Sequence, residues 1–355
     1  MERQLNVRER WAGEVPILVA AAALFALSTA LLASRGIVPE PGPILANLRL
    51  YFISIVAIAS LDAGWSLLRT RPASPLGHLK ARYLNPGARR VVLAGAPMLA
   101  LCVVLIPYFS KMKAAIPLFN DYTWDPAFIA WDRALFFGHD AWEVLQPVLG
   151  FPLVTAVLAF LYQVWFLLLY PGVLWFAFAR IDQDVRRRFF LSYVLSWALV
   201  GGAMATWLAS VGPCFVGPLL GDPTFDAQMA YLEAADRQVP IMTLTVQQML
   251  LDWFHADTNG LGSGITAMPS MHVAIAFLFW LAMRRAAPRA AGWFGAFFAV
   301  TWASSVHLAY HYAVDGLVSV IAVAAIWRAG GLVLRAWDRW RAAQATLRTN
   351  TVPAE

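Results

Sequence analysis

The stretches AMPSMHVAIAF (267–277) and SSVHLAYHYAVDG (304–316) place histidine, serine and aspartate at the edges of long apolar runs. The chain has six histidines, and His272, His307 and His311 lie in these two stretches. Long apolar runs predict membrane-spanning helices, so these polar side chains fall at helix ends. Two explanations compete: polar residues that mark a membrane boundary, and a catalytic site.

The composition predicts a membrane protein. Of the 355 residues, 60% are hydrophobic and only 14% are charged, and the mean hydropathy is +0.61. A soluble domain carries about 25% charged residues. Cys102 and Cys214 show no metal-binding spacing and are too few for a disulfide framework. The first apolar run lacks an obvious small-residue cleavage site, which favours a retained helix over a signal peptide.

Eight apolar runs are long enough to cross a bilayer. Each must form a helix, because lipid offers no hydrogen-bond partner to an open backbone. The prediction is an all-α integral membrane protein with about eight transmembrane helices, at 15–34, 47–68, 91–109, 152–179, 189–211, 269–285, 292–311 and 314–335. Its parts are an N-terminal segment with a two-helix membrane hairpin (1–90), a six-helix core (91–335) and a cytoplasmic tail (336–355).

Basic residues fall on alternate connections. Arginine-rich segments precede span one and follow spans two, four, six and eight, whereas the connections 110–150 and 212–268 are richer in acidic residues. The positive-inside rule then predicts cytoplasmic termini in a plasma (inner) membrane, with both histidine stretches at the outer face. Topology accounts for the basic patches, so we predict membrane lipids and no nucleic acid as partners.

The spacing of the second stretch is helical. Ser304, His307, His311 and Asp315 follow steps of three, four and four residues, and they share one face while the helix continues. A carboxylate one turn from a histidine can accept its N–H and fix its tautomer. His311 would then present its other nitrogen as a nucleophile, with Asp315 as the residue that orients it.

The first stretch opens the predicted sixth span. His272 arrives there from a separate hairpin and is placed to act as a general acid. Ser270 and the free backbone N–H groups of the same helix start suit a phosphate.

Blander explanations stay open for each of these residues. A lone histidine at a membrane interface is more often solvated than catalytic, and a His–Asp pair at a helix end is more often a local hydrogen bond. A metal site is also conceivable, but the three histidines lack the spacing of the usual zinc motifs. We therefore predict no metal and no cofactor.

Four other polar residues are assigned structural or solvated positions. Asp62 lies inside the second span, where a carboxylate is costly, and we expect it to form an interhelical hydrogen bond. Asp132, His139 and Asp257 are expected to be solvated loop residues.

MPSMH at 268–272 resembles the second signature, PSGH, of the type 2 phosphatidic acid phosphatase superfamily, with Met271 at the glycine position. The segment 304–315 resembles the third signature, SRxxxxxHxxxD, with Ser304, His311 and Asp315 at matching positions. The resemblance covers about 91–335 and implies a six-helix phosphatase-type core. Over 125–335, the segments DPAFIAWDRALFFG, VGPCF and HYAVD are most similar to the branch that contains inositol phosphorylceramide synthases.

This resemblance implies a chemical role for each matching residue. His311 would attack a lipid-linked phosphate and form a phosphohistidine, Asp315 would hold that histidine, and His272 would protonate the leaving alcohol and then activate the acceptor. Ser270, Ser304 and His307 are the predicted substrate-binding residues.

Three cations of the superfamily signatures are replaced. The first signature, KxxxxxxRP, falls on 205–213, where Ala205 and Gly212 occupy the Lys and Arg positions, and Ser305 occupies the Arg position of the third signature. Charge stabilisation is a large share of phosphoryl-transfer catalysis, so these replacements matter. His307, His255 and Arg237 are the predicted substitutes.

The predicted function is a membrane phosphotransferase that acts on a phospholipid or other lipid phosphate. It would move a phosphoryl or phospho-headgroup to a hydroxyl acceptor such as a polyol. The alternative is a lipid phosphate phosphatase, with water as the acceptor. A lipid transporter is less favoured because the chain shows no internal symmetry, and the replaced cations leave a catalytically silent member open.

Overall fold

The computed structural model describes residues 6–38, 40–256 and 262–350, and every regular element within them is a helix. Asp257 and the ends of the predicted 1–90 and 336–355 segments lie outside the described residues. The helices that build the fold are α1 (Val7–Ala33), α2 (Gly42–Thr70), α3 (Pro75–Tyr83), α4 (Pro86–Ala114), α5 (Asp125–Leu135), α6 (Ala141–Leu149), α7 (Pro152–Phe178), α8 (Gln183–Trp207), α9 (Asp226–Asp236), α10 (Met242–His255), α11 (Met271–Ala286), α12 (Ala291–His307) and α13 (Ala313–Asn350).

Short helical turns interrupt or connect these helices. Leu168–Gly172 and Ser196–Met204 are π-helical turns inside α7 and α8, at points where Pro171 and a Gly–Gly pair weaken the α-helix. The remaining turns in the described residues are Ile116–Leu118, Pro213–Phe215, Val216–Leu220, Pro223–Phe225 and Pro288–Ala290.

Six of the described helices are long and apolar enough to cross a membrane: α1, α2, α4, α7, α8 and α13. The predicted all-α integral membrane fold is therefore confirmed. The predicted sixth and seventh spans correspond to α11 and α12, which have 16 and 17 residues. At about 1.5 Å per residue they fall short of a hydrocarbon core of about 30 Å, so length supports six spans and not eight.

Burial separates the central helices from the peripheral ones. Every residue from Val273 to Phe279 in α11 is buried, which fits a helix that is apolar on all sides and packs among α8, α12 and α13. Only 11% of the most apolar window of α2 is buried, against 61% for α8. The apolar side chains on α2, such as Phe52 and Leu61, suit contact with lipid.

Two ion pairs connect the N-terminal helices to their neighbours. Glu14 of α1 is fully buried and accepts a hydrogen bond from Arg186 of α8, so α1 packs directly on the core. Asp62 of α2 accepts two hydrogen bonds of 2.7 Å from Arg82 and one of 2.5 Å from Tyr83, both of α3. The interhelical hydrogen bond predicted for Asp62 is thus confirmed.

Helix α12 ends where the sequence predicted continuation. Leu308 follows the last helical residue, His307, and Ala309 has a φ of +60°, which takes the chain out of the helical direction. The backbone N–H groups of Tyr310 and His311 both donate to the carbonyl oxygen of Ser305, which closes a tight turn. His311 therefore lies in the turn between α12 and α13, not on a continuous helix.

Candidate active site

The two histidine stretches meet through their backbones. Ser270, the N-cap of α11, accepts a hydrogen bond of 2.9 Å on its carbonyl oxygen from the Ser319 hydroxyl of α13. The same hydroxyl lies 2.7 Å from the carbonyl oxygen of Asp315, and the Ser270 N–H donates to that oxygen over 3.5 Å. The start of α11 and the first turn of α13 are therefore held side by side.

His311 and Asp315 form a buried pair. The His311 Nδ1 lies 3.0 Å from the Asp315 Oδ2, and both side chains are buried. The same Oδ2 accepts a hydrogen bond of 3.2 Å from the Tyr312 N–H, which fixes the carboxylate against the turn. Because Asp315 occupies Nδ1, the Nε2 of His311 is the nitrogen left for chemistry.

His272 lies between two aromatic rings of α7. Its ring stacks on Tyr162 with centroids 4.2 Å apart and on Trp165 with centroids 4.1 Å apart. The Trp165 indole N–H also donates to the His272 carbonyl oxygen over 3.0 Å. The ring position of His272 is therefore set by α7 as well as by its own helix.

His272 and His311 share one environment. Tyr162 stacks on His272 and also on Tyr310, the residue before His311, with centroids 5.3 Å apart. The two histidine rings are close enough for their charges to interact. The predicted nucleophile, its carboxylate and the predicted general acid are thus brought together from separate stretches.

Asp132 is not the solvated loop residue that the sequence predicted. It is only 4% exposed, and its carboxylate accepts hydrogen bonds from the Ala313 and Val314 N–H groups over 2.7 and 2.9 Å. These are free donors at the N-terminus of α13, where a carboxylate is a favourable cap. Burial raises the pKa of Asp132 to about 6, and the two backbone hydrogen bonds oppose that shift.

Asp125, two turns before Asp132 on α5, holds the other side of the turn. It accepts hydrogen bonds from the Val211 and Gly212 N–H groups, both over 3.0 Å, and from the Tyr312 hydroxyl over 2.7 Å. Sequence reasoning missed both carboxylates. A signal existed, because two acids seven residues apart share a helix face in a chain with few charges. His139, by contrast, is exposed as predicted.

His307 and Ser304 do not continue the predicted stripe. The His307 Nε2 lies 2.9 Å from the Thr155 hydroxyl, which in turn lies 2.6 Å from the Tyr231 hydroxyl. Ser304 is buried, and its hydroxyl has no hydrogen-bond partner among the described residues. The helix ends before His311, so the common face is wrong, although roles of Ser304 and His307 in substrate binding stay predictions.

Ser270 performs the capping part of its predicted role. Its hydroxyl accepts a hydrogen bond of 3.5 Å from the Val273 N–H at the start of α11. Ser270 is fully buried beside Asp315. Its part in phosphate binding stays a prediction.

The structure explains why arginine is absent from position 212. Gly212 has a φ of +89°, and a Cβ there would lie 2.8 Å from both the Ala267 Cβ and the Tyr310 carbonyl oxygen. A larger side chain would push apart the loops that carry both histidine stretches. Ser305 is fully buried, with its hydroxyl donating to the Trp302 carbonyl oxygen over 2.7 Å.

The predicted substitutes for the missing cations lie elsewhere. His255 and Arg237 are exposed at the ends of α10 and α9, and His307 is held by Thr155. Among the residues the structure describes, no three His, Cys, Asp or Glu side chains group as metal ligands.

The fold and these side chains define an all-helical, multi-pass membrane protein with a buried His–Asp pair beside a second histidine. Residues 126–329, more than half of the chain, match the model of the PAP2 superfamily, and the chain belongs to that superfamily. No curated protein and no solved structure matches it. The membership supports phosphatase-type or phosphotransferase chemistry on lipid phosphates. The finer assignment to the inositol phosphorylceramide synthase branch remains a prediction.

Proposed function

We propose that the protein transfers a phosphoryl or phospho-headgroup from a lipid to a hydroxyl acceptor such as a polyol, through a phosphohistidine on His311. The observation that carries the proposal is the buried contact of 3.0 Å between the His311 Nδ1 and the Asp315 Oδ2. That contact keeps the ring proton on Nδ1, so the lone pair of Nε2 is free to attack phosphorus.

In the first step, the Nε2 of His311 forms a bond to phosphorus and the bond from phosphorus to the leaving oxygen breaks. Asp315 stabilises the positive charge that develops on the ring. His272 donates a proton to the leaving oxygen, so the first product departs as a neutral alcohol. Membership of the PAP2 superfamily supports this class of chemistry.

In the second step, His272 removes a proton from the acceptor hydroxyl, whose oxygen attacks the phosphohistidine. The bond from phosphorus to Nε2 breaks and His311 returns to its starting form. The rings of Tyr162 and Trp165 keep His272 in place for both proton transfers. Water in place of the acceptor gives a lipid phosphate phosphatase, which is the second candidate.

We further propose that both termini are cytoplasmic and that this chemistry occurs at the outer face of the plasma (inner) membrane. The alternation of basic and acidic connections supports this orientation. Labelling of single introduced cysteines at positions in 110–150 and in the tail would test it in intact cells.

The deciding experiment incubates the purified protein with a panel of labelled lipid phosphates, with and without inositol or other polyols. A new phosphodiester lipid supports transfer, and free phosphate supports the phosphatase. His311→Ala should abolish turnover and phosphate labelling of the protein, whereas His139→Ala, at an exposed histidine, should leave both unchanged. Full turnover by His311→Ala would overturn the proposal.

A further inference from the structure

A phosphate at His311 needs positive charge close to it. A phosphate carries one or two negative charges, and Asp315 contributes another at the same place, so an uncompensated site would repel its substrate. Ala205, Gly212 and Ser305 supply no charge where the superfamily signatures have cations. The inference below rests on the proposed function and asks which side chain supplies that charge.

Other cations of the predicted outer face are committed or distant. Arg133 forms a two-pronged hydrogen bond to Asp140 over 2.8 and 3.1 Å. Arg237 is exposed at the end of α9, and neither Arg237 nor Lys111 is among the charges that act on His272 or His311. These three residues do not provide the missing charge.

Lys113, in the last turn of α4, differs from them. It is half-buried, and its charge acts on the rings of both His272 and His311. Its side chain forms no ion pair or hydrogen bond in the part of the chain that the structure describes. A half-buried cation without a partner is available to an anion.

The end of α4 is packed against the loop that leads to His272. Gly264, with a φ of +91°, approaches α4 so closely that a Cβ there would lie 2.7 Å from the Ala114 N and 2.8 Å from the Lys113 carbonyl carbon. The Ser110 hydroxyl, one turn earlier, accepts a hydrogen bond of 2.9 Å from the Gly262 N–H. The backbone of Lys113 is thus fixed relative to the loop before Ser270.

Aromatic packing connects α4 to the same site from a second side. Phe109 of α4 packs on Trp197 with centroids 4.4 Å apart, and Trp197 packs on Trp165 with centroids 6.4 Å apart. Trp165 is one of the two rings that hold His272. The position of Lys113 relative to His272 is therefore built into the core.

We propose that Lys113 binds the phosphoryl oxygens of the lipid substrate and replaces the signature cations that this chain lacks. An ammonium group on a flexible stem neutralises charge as a point cation, without the two-pronged geometry of arginine. Position 113 has no counterpart in the signature motifs, because it lies at the end of a different helix. A lysine at a helix C-terminus also interacts well with the helix dipole, so the test must separate binding from stability.

The test uses the purified full-length protein and compares Lys113→Met with Lys111→Met, a lysine two residues away on the same helix end. We expect Lys113→Met to lower kcat/KM for the labelled lipid phosphate by about 100-fold. It should weaken inhibition by orthovanadate, a phosphate mimic, by a similar factor. Lys111→Met should change neither value by more than about twofold, as is usual for surface substitutions.

Wild-type kcat/KM and vanadate inhibition in Lys113→Met would overturn the inference. So would a loss of turnover with unchanged vanadate inhibition, because that result assigns Lys113 a structural role. If Lys113→Met does not fold, Lys113→Arg and Lys113→Gln give the same comparison, and equal vanadate inhibition in these two variants would overturn it. His311→Ala is assayed in parallel: an active His311→Ala protein removes the proposed function, whereas an inactive one beside an active Lys113→Met removes only this inference.

Discussion

The carboxylate of Asp132 accepts a hydrogen bond of 2.9 Å from the N–H of Val314, the residue before Asp315. A second hydrogen bond, of 2.7 Å, comes from the Ala313 N–H. Asp132 thereby holds the first turn of α13, which carries the carboxylate that orients His311. A residue on α5 thus determines where the catalytic pair is placed.

Asp132 should make stability depend on pH between about 4 and 6. Burial raises its pKa to about 6 in the folded protein, above the ordinary value of 3.8. An acid whose folded pKa is raised contributes stability below pH 4, and that contribution is lost as the pH rises through 6. The loss is at most about 3 kcal/mol for a pKa difference of this size.

The measurement compares wild type with Asp132→Asn, a neutral side chain of the same shape. Their apparent Tm values in detergent are recorded from pH 4 to pH 7. We expect the wild-type Tm to fall relative to that of the variant as the pH rises. A difference in Tm that stays constant with pH would show that Asp132 does not titrate in this range.

The proposed acid role of His272 predicts a dependence on the leaving group. His272→Ala should slow transfer from an alkyl lipid phosphate by about 100-fold or more, because an alkoxide leaves poorly without a proton. A nitrophenyl phosphate, whose leaving group needs no proton, should lose much less. Steady-state rates on the two substrates are the measurement, and an equal loss on both would contradict the acid role.

The aromatic rings around His272 should affect turnover more than substrate binding. Trp165→Phe removes the indole N–H that donates to the His272 carbonyl oxygen over 3.0 Å but keeps an aromatic ring. We expect kcat to fall about 10-fold with little change in KM, since a misplaced group weakens the transition state. The pH profile of kcat should also shift, because His272 becomes more accessible to water.

Trp131→Phe is the control for that prediction, since Trp131 is a largely exposed tryptophan on α5. It should leave kcat, KM and the pH profile at wild-type values. A rise in KM alone in Trp165→Phe would instead place Trp165 in substrate binding.

The sequence predicted the parts of the site that depend on local spacing. His311 and Asp315 are four residues apart, so their contact needs only a turn and the start of one helix. The predicted stripe through Ser304 and His307 failed because the left-handed Ala309 follows the end of α12. A periodicity argument assumes a continuous helix and cannot locate such a break.

Contacts between distant segments were beyond that reasoning. Asp132 and Ala313 are 181 residues apart in the chain, and their hydrogen bond exists only after α5 has packed beside α13. Lys113 is equally far in sequence from both histidines, and a lysine near a predicted membrane boundary carries no signal of its own. The fold class was predictable because apolar run length is a property of single segments.

Gly212 offers a last prediction, on why the signature arginine is absent. Gly212→Ala should destabilise the protein by about 2 kcal/mol or more, because the left-handed backbone and the Tyr310 carbonyl oxygen 2.8 Å away both oppose a Cβ. Gly202→Ala is the matched control: the nearest atom to its Cβ would be the Trp197 carbonyl oxygen, at an ordinary contact distance of 3.7 Å. Apparent Tm values in detergent test the pair. If Gly212→Ala is as stable as Gly202→Ala, packing does not exclude a side chain at position 212, and the loss of the arginine needs another cause.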